Sequence, residues 1–334
     1  MLKTSLKVAI VGASGLAGKE LINILEDSDL NISELSLFSS INSAGEKVEY
    51  KDQTLTIQEL KSPKDIDADL VFLATDSKVS LDLAPKLVAL GKTVIDKSSA
   101  FRTTNPLIVP SVNGELLKNI TGACIIASPN CVAGPLCEVL NPIKNKYGLL
   151  QVIVSSYQAV SGAGKNAMDE LEEQVRDLFN LRELKQKAFD KRIAFNILPN
   201  IPSFGSLNSF GQTDEEEKVI FETKKILNAP DLLMQATCVR VPVFNGHCMS
   251  VSIATAERVT VEEISKLLAN SFGIRIQEYP TPIEACGLDE ILVGRIRPNT
   301  GVVNGISLWI AADNLRVGAA LNAVRIAMKI YEEN

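Results

Sequence analysis

Gly12-Ala13-Ser14-Gly15-Leu16-Ala17-Gly18 stands between a β run, Lys7 to Val11, and an amphipathic helical run, Lys19 to Glu26. A glycine triplet in that setting narrows the possible folds more than any other stretch of the chain. The spacing is G-x-x-G-x-x-G, a variant of the dinucleotide fingerprint. Its glycines permit a tight turn and close backbone approach, and the N-terminus of the helix takes the pyrophosphate. Gly12, Ser14, Gly15, Leu16 and Ala17 are therefore candidate cofactor contacts.

The following segments keep the same rhythm. Leu35 to Ser40, Leu70 to Thr75 and Thr93 to Asp96 read as strands, and Val79 to Leu87 reads as a helix between two of them. Alternation of this kind predicts a doubly wound α/β fold, a parallel sheet covered on both faces. Ligands of such a sheet lie beyond the carboxyl ends of its strands, where Thr75, Ser98, Arg102 and Cys131 should fall. An Asp or Glu at the end of the second strand would hold the ribose of NAD. Ser39, Ser40, Asn42 and Ser43 stand there instead, which favours NADP. Arg102 reads equally as a solvated surface cation or as an anion contact.

Ser128-Pro129-Asn130-Cys131 ends the short apolar run Ala123 to Ala127, and helical spacing resumes at Leu136. Cys131 is thus expected at a strand-to-helix turn, close to helix N–H groups without intrahelical partners. That setting favours the thiolate, the nucleophilic form of the side chain. The bland alternative is a small buried hydrophobe.

With 334 residues, two domains are the expectation. Net charge is −6, with no Lys/Arg cluster, which argues against a nucleic-acid or anionic-membrane partner. No apolar run reaches membrane-spanning length, and Met1 to Gly12 lacks a signal-peptide cleavage pattern. Six cysteines without C-x-x-C spacing and a single histidine predict free thiols, no metal site and a cytoplasmic protein.

In the second half, Gln151 to Val160 is a long β run leading to Ser161-Gly162-Ala163-Gly164-Lys165. That glycine-rich turn lacks P-loop spacing but is free to pass close to a nicotinamide. A helix is expected from Asn166 to Phe179, with Met168, Leu171, Val175, Leu178 and Phe179 as its core stripe. Leu184 to Asn208, with Pro199-Asn200-Ile201-Pro202 and Phe204-Gly205, reads as a long surface loop or an oligomer contact. Thr213 caps a helix whose first turn is acidic, which is enough to explain Glu215 and Lys218. Asn245-Gly246 between two β runs signals a hairpin. A two-residue turn there would put Arg240 and His247 on one sheet face, roughly 13 Å apart along the strands, where they would not touch. His247 is the one ready candidate for acid–base work near neutral pH. Asp313-Asn314-Leu315 is expected to start a final helix.

Several of these stretches carry a resemblance when taken together and in order. They are Val11-Gly12-Ala13-Ser14-Gly15, Ser128-Pro129-Asn130-Cys131, Ser156 to Gly164, Glu215 to Lys218, Arg240-Val241-Pro242-Val243 with Gly246-His247, and Asp313-Asn314-Leu315-Arg316. Over essentially its full length the chain resembles aspartate-semialdehyde dehydrogenase of the bacterial and archaeal type. The resemblance implies a Rossmann domain, residues 1–130 with 314–334. It also implies an α+β catalytic and dimerisation domain of the glyceraldehyde-3-phosphate dehydrogenase-like kind, residues 131–313, in a homodimer. It implies Cys131 as nucleophile, His247 as acid/base and Gln158 as the residue orienting a thioester. Arg240 would meet the substrate carboxylate, Glu215 its amino group, and Arg102, Asn130 and Lys218 the phosphate. Thr75, Ser161, Gly162 and Asn314 join the cofactor contacts. Many relatives carry an Arg where Asn42 stands, so strict NADP preference is not implied and NAD remains possible. The activity implied is NADPH-dependent reductive dephosphorylation of aspartyl phosphate to aspartate semialdehyde, a step toward lysine (through diaminopimelate), methionine and threonine. N-acetyl-glutamyl-phosphate reductase and a non-catalytic nucleotide-binding redox sensor are the rival readings.

Overall fold

Lys7 to Val11 is apolar on both sides, and a strand of that kind is stable only inside a sheet covered on both faces. In the computed structural model, which describes residues 5–202 and 205–332, it forms β1 (Leu6–Val11), buried along nearly its whole length. Then come α1 (Leu16–Glu26), β2 (Ile32–Ser39), a small hairpin of β3 (Lys47–Tyr50) and β4 (Gln53–Thr56), and the short β5 (Gln58–Glu59). Next are β6 (Leu70–Leu73), α2 (Ser77–Ala89), β7 (Thr93–Asp96), α3 (Pro110–Asn113) and β8 (Ile125–Ala127). The sheet order is β5-β2-β1-β6-β7-β8 with every pairing parallel. The order in which the chain adds strands reverses between β1 and β6, which is the switch point of a Rossmann sheet. The C-terminal helix, Leu321–Glu332, packs against α1, α3 and β7. Asn322 ties it down by donating to the Ile108 carbonyl and to Ser128 Oγ, both at 3.0 Å.

This first compact unit takes residues 1–130 and 319–334, and residues 131–318 form the second. The later crossing lies after Gly318, not at the expected 313/314, because Asp313 and Asn314 bond into the second unit. Asp313 accepts the N–H of Gly287, Leu315 and Arg316. The final helix also does not start at Asp313: a single π-helical stretch, Arg316–Ala320, precedes it.

The second unit holds α4 (Ala133–Tyr147), β9 (Gln151–Gln158), α5 (Lys165–Phe179), α6 (Asp214–Ile226), β10 (Leu233–Arg240) and β11 (His247–Ala254). It continues with α7 (Val261–Ala269), β12 (Ile274–Ile276), α8 (Pro282–Ala285), β13 (Ile291–Asn299) and β14 (Gly305–Ala312). Its mixed sheet has the order β10-β9-β11-β14-β13-β12. Asn245-Gly246 therefore does not close a hairpin. β9 lies between β10 and β11, parallel to the first and antiparallel to the second. The alternating burial of β9, with Val152, Val154, Ser156 and Gln158 inward, sets one face of this sheet toward the core.

The stretch expected as a surface loop carries a small core of its own. Phe189, Ile193, Ala194 and Leu198 are buried with Val160, Ala167 and Leu171, while Met168, Val175 and Leu178 cover them. Polarity hid this, because the backbone is held by buried acids and amides of α5. Glu170 accepts the N–H of Lys187, and Gln174 those of Ile193 and Ala194. Phe179, expected in the stripe, is 78% exposed and meets Phe195 edge-on. Phe204 lies outside the described residues.

Phe189→Ala should cost about 3–5 kcal/mol, the usual range for emptying an aromatic core site. Urea denaturation measures the loss, and limited proteolysis should show new cleavage between residues 180 and 212. A loss below about 1 kcal/mol would mean that this segment has no core of its own.

Candidate active site

In the first unit the glycine-rich turn is built by contact. Gly12 has φ +88°, and a Cβ there would come within 2.5 Å of the Ala74 carbonyl oxygen. A Cβ on Gly18 would lie 2.2 Å from the Gly12 oxygen. Only glycine lets β1, β6 and α1 approach this closely. Gly15 caps α1 without any side-chain bond, and the first turn of α1 has no acid. Its N–H groups and dipole are thus left for an anion, which fits the pyrophosphate of a dinucleotide. Leu16 and Ala17 form that first turn. Ser14 Oγ and Ser39 Oγ are 2.7 Å apart at the ends of the glycine turn and of β2. Ser40 and Asn42 are exposed just beyond, with Ser43 half-buried, in a single 3-10 turn. Thr75 follows β6, with its Oγ1 3.0 Å from Ser80 Oγ.

Arg102 is not a solvated surface residue. It is 8% exposed, and donates from Nε to the Ser128 carbonyl at 3.0 Å and from Nη2 to the Lys97 carbonyl at 2.8 Å. Buried Asp96 anchors the loop before it by accepting from Ser80 Oγ and Ser98 Oγ, both at 2.8 Å. Asn130, also buried, closes the turn that leads out of this unit.

The second unit opens with Cys131, half-buried, two residues ahead of α4. The strand-to-helix turn expected from the sequence is present. All six cysteines are free. Burial pushes the thiols of Cys124 and Cys137 up, those of Cys238 and Cys248 to about 12 and that of Cys286 to about 11. Those five are poor nucleophiles. Cys131 instead has a helix N-terminus beside it and lies within electrostatic reach of the Arg240 guanidinium, two influences that favour a thiolate. The π turn presses on it from behind: a Cβ on Gly318 would lie 3.0 Å from Cys131 Cβ.

Arg240, Gln158 and His247 converge at the ends of three adjacent strands. Arg240 and Gln158 are direct Cα partners across β10 and β9, and His247 begins β11. The two residues expected to stay apart are brought together. A Cβ on Gly162 would lie 3.0 Å from Arg240 Nη1 and 3.2 Å from His247 Nε2. The means is the backbone of Ala159, a residue without any sequence signal of function. Its carbonyl accepts from Arg240 Nη1 at 2.8 Å and its N–H donates to His247 Nδ1 at 3.0 Å. Gln158 is 1% exposed; its Nε2 donates to Glu215 Oε1 at 2.9 Å and its Oε1 accepts from Ser156 Oγ at 3.0 Å. Glu215 and Lys218 are one turn apart on α6, hence on one helix face. The Thr213 cap is also there, with Glu216 completing a capping box and accepting the Cys238 N–H. Ser161 and Asn314 bond one another at 3.0 Å. His247 Nε2 is buried and has no hydrogen-bond partner among the described residues.

Burial holds the Arg240 pKa down, and Glu215 opposes that shift. Burial is also the larger reason that His247 is pushed down to about 3, with the Arg240 cation second and the Gly246 carbonyl opposing. The ring is therefore neutral across the physiological range. Among the described residues no cluster of His, Cys, Asp and Glu could hold a metal ion, and no helix is long and apolar enough to cross a membrane.

Two family models match the chain: a semialdehyde dehydrogenase NAD-binding domain at residues 7–120 and a semialdehyde dehydrogenase dimerisation domain at 140–317. The chain is 42% identical to aspartate-semialdehyde dehydrogenase of Bacillus subtilis (strain 168), covering 98% of each. It is 40% identical to that of Aquifex aeolicus (strain VF5), again over 98% of each. The crystal structure of aspartate semialdehyde dehydrogenase II from Vibrio cholerae, complexed with ASA, superposes with a TM-score of 0.94 at 35% identity and 99% coverage of both chains.

The neutral buried imidazole has a consequence for stability. Below its ordinary value near 6.5 the unfolded chain takes a proton that the folded one refuses until about pH 3. Stability is thus fully present above pH 6.5 and falls as pH drops toward 3, by about 1.4 kcal/mol per pH unit from this group. Comparing urea midpoints of wild type and His247→Gln over this window should show the wild type losing ground steadily as pH falls. A gap between the two proteins that does not change with pH would contradict a neutral buried His247.

Proposed function

This chain belongs to the aspartate-semialdehyde dehydrogenase family, and we propose that it catalyses the reversible, NADP-dependent interconversion of aspartyl phosphate and aspartate semialdehyde through a thioester on Cys131. One observation carries the site assignment: Cys131, Gln158, Arg240 and His247 belong to one unit, with Arg240 and His247 both held by the backbone of Ala159. In the biosynthetic direction the Cys131 thiolate attacks the acyl carbon of aspartyl phosphate, the C–S bond forms and phosphate leaves. The nicotinamide, when bound, supplies the hydride that turns the thioester into a hemithioacetal. Collapse of that adduct frees the aldehyde and restores the thiolate. A covalent path divides one difficult displacement into two easier steps.

Arg240 offers the substrate carboxylate a planar pair of donors, and its burial strengthens that pairing. Glu215 takes the α-ammonium, which would have no counterpart in an N-acetylated substrate; this argues against the acetyl-glutamyl rival. Gln158 orients the thioester, and Arg102, Asn130 and Lys218 serve the phosphate. His247 faces the carbonyl oxygen as the group that handles the proton. Gly12, Ser14, Gly15, Leu16 and Ala17 would hold the pyrophosphate, Ser39, Ser40, Asn42 and Ser43 the ribose 2′-phosphate, and Thr75, Ser161, Gly162 and Asn314 the nicotinamide side. The working form is a homodimer of the cytoplasm. The dimerisation model supports it, as do Leu181, Phe179 and Phe210, which are 95%, 78% and 87% exposed in the second unit.

Phosphate-dependent reduction of NADP by aspartate semialdehyde is the direct test, run beside glutamate semialdehyde analogues. Turnover should be confined to the aspartate substrate, and Cys131→Ser should abolish it while NADP still binds. Retained activity in Cys131→Ser, or preference for the acylated glutamate analogue, would refute the assignment.

Cofactor preference should depend on Asn42. Neither a carboxylate to repel a 2′-phosphate nor an Arg to pair with it stands there, so NADP should be preferred modestly. Asn42→Arg adds a charge-assisted bond of about 1.5–3 kcal/mol and should lower the KM for NADP about tenfold with little change for NAD. No response to this substitution would show that other residues surround the ribose.

A further inference from the structure

The carboxyl end of β2 has no charged residue of its own, but the sheet brings two beside it. β5 pairs with β2 in parallel register, Phe38 with Gln58 and Ser39 with Glu59. Partners in register point to the same face of a sheet, so the Glu59 side chain lies on the side of Ser39. One residue on, the Leu60 N–H donates to the Ser39 carbonyl at 3.2 Å. Lys61 therefore leaves the sheet next to the end of β2, and its Nζ lies 3.5 Å from Glu59 Oε2. A carboxylate and an ammonium thus flank Ser39, whose Oγ meets Ser14 of the glycine turn. Both come from a later strand, so the sequence around Ser39 carries no sign of them.

The backbone beneath Lys61 is fixed. Its N–H and that of Ser62 donate to Asp65 Oδ2 at 3.2 and 2.7 Å, and Ser62 caps the 3-10 turn that follows. The Lys61 side chain is 74% exposed and that of Glu59 30%. An ion pair so open to water is worth little, and the ammonium can turn to another anion at small cost. Beside it a groove of about 490 Å³ runs between the Leu60 to Pro63 segment and α2, with Val79 and Leu83 on the helix wall. Walls that are apolar with a few charges at the edge suit a purine nucleoside. α2 adds Lys78 and Asp82 to the lining, and Asp82 is taken by Lys86 at 2.6 Å. All of these residues belong to the first unit.

We propose that Lys61 and Glu59 set the cofactor preference from β5: Lys61 pairs with the 2′-phosphate of NADP, in place of a cation at position 42, and Glu59 accepts the free 2′-hydroxyl of NAD. This rests on the dinucleotide reading above and not on the chemistry at Cys131. A carboxylate near the end of the second strand is the usual acceptor for that hydroxyl. Toward a 2′-phosphate the same carboxylate is repulsive, and Lys61 must leave it to reach the phosphate. Attraction by one residue and repulsion by its neighbour partly cancel. NADP is then preferred by a small margin, and NAD keeps a partner of its own.

Affinities can be read without turnover, by calorimetric titration of the whole protein with NADP and with NAD in the absence of substrate. Lys61→Gln should weaken NADP about five- to tenfold, the order expected of a charge-assisted bond at an exposed site, and leave NAD within about twofold. Lys61→Arg keeps the cation and should restore most of the NADP affinity, which a loss of packing alone would not allow. Glu59→Gln should act with opposite sign on the two cofactors, tightening NADP about two- to fivefold and weakening NAD. The margin between NADP and NAD in the wild type should shrink as salt rises from about 0.05 to 0.5 M, because screening acts on the phosphate pair. Equal weakening of both cofactors by Lys61→Gln, or no weakening of NADP, would overturn the proposal. So would a weaker NADP complex in Glu59→Gln, or a loss of NADP affinity carried by Lys78→Gln and not by Lys61→Gln. The expected affinities without aspartate semialdehyde turnover would refute only the proposed function. Normal turnover with affinities unmoved by both substitutions would refute this inference alone.

Discussion

Everything in the second unit's site depends on the backbone of one residue. The N–H of Ala159 holds His247 and its carbonyl holds Arg240; these groups lie in successive peptide planes joined at one Cα, so the backbone angles of Ala159 set the spacing between a neutral ring and a cation. Ala159 directly follows β9, which lies between the strands that bear those two side chains. Had Asn245-Gly246 closed a simple hairpin, Arg240 and His247 would have sat along one ribbon with no backbone between them. The insertion of β9 supplies both a donor and an acceptor at the point where the two side chains converge.

The fold was legible wherever local pattern and burial coincide. Fully buried parallel strands such as β1 and β6 read as continuous apolar runs, and the glycine turn between β1 and α1 read as a nucleotide cradle because its residues admit nothing larger. Cys131 was placed correctly for a similar reason, since a Ser-Pro-Asn stop before a helical pattern has few other meanings. Strand order was not legible. β10 and β11 neighbour one another in sequence with an Asn-Gly between them, and only the long-range pairing with β9 separates them. Ala159 was invisible for a different reason: it acts through its backbone, and a backbone contact leaves no trace in side-chain chemistry. The 184–208 segment was misread because its apolar residues are sparse and its N–H groups are held by Glu170 and Gln174, polar residues that made the sequence look solvated.

The two units divide the chemical labour in a way their sheets explain. A parallel sheet leaves its switch point open at the carboxyl ends of β1 and β6, and the uncapped α1 adds a dipole suited to phosphate. The mixed sheet instead brings three strand ends to one place. Cys131 lies at the first residue of the second unit, directly after the turn that ends β8. Cys131 is thus carried on the chain connection itself, with Gly318 of the returning segment packed against it. Any side chain at Gly318 would have to move Cys131 first.

Burial explains why Arg240 would suit an anionic ligand. Arg240 is 6% exposed and His247 1%, so both have left water, and an unpaired guanidinium at that depth is costly. Glu215 offsets part of the cost, but its carboxylate also receives the Gln158 amide and is shared. The Ala159 carbonyl takes one of the five guanidinium donors. A substrate carboxylate would satisfy the cation more fully than any group the protein supplies. The ring answers to the same arrangement: at that depth a charged imidazole would set a second cation beside Arg240, so His247 stays neutral. The protonation state of the imidazole therefore follows from its burial next to one buried arginine.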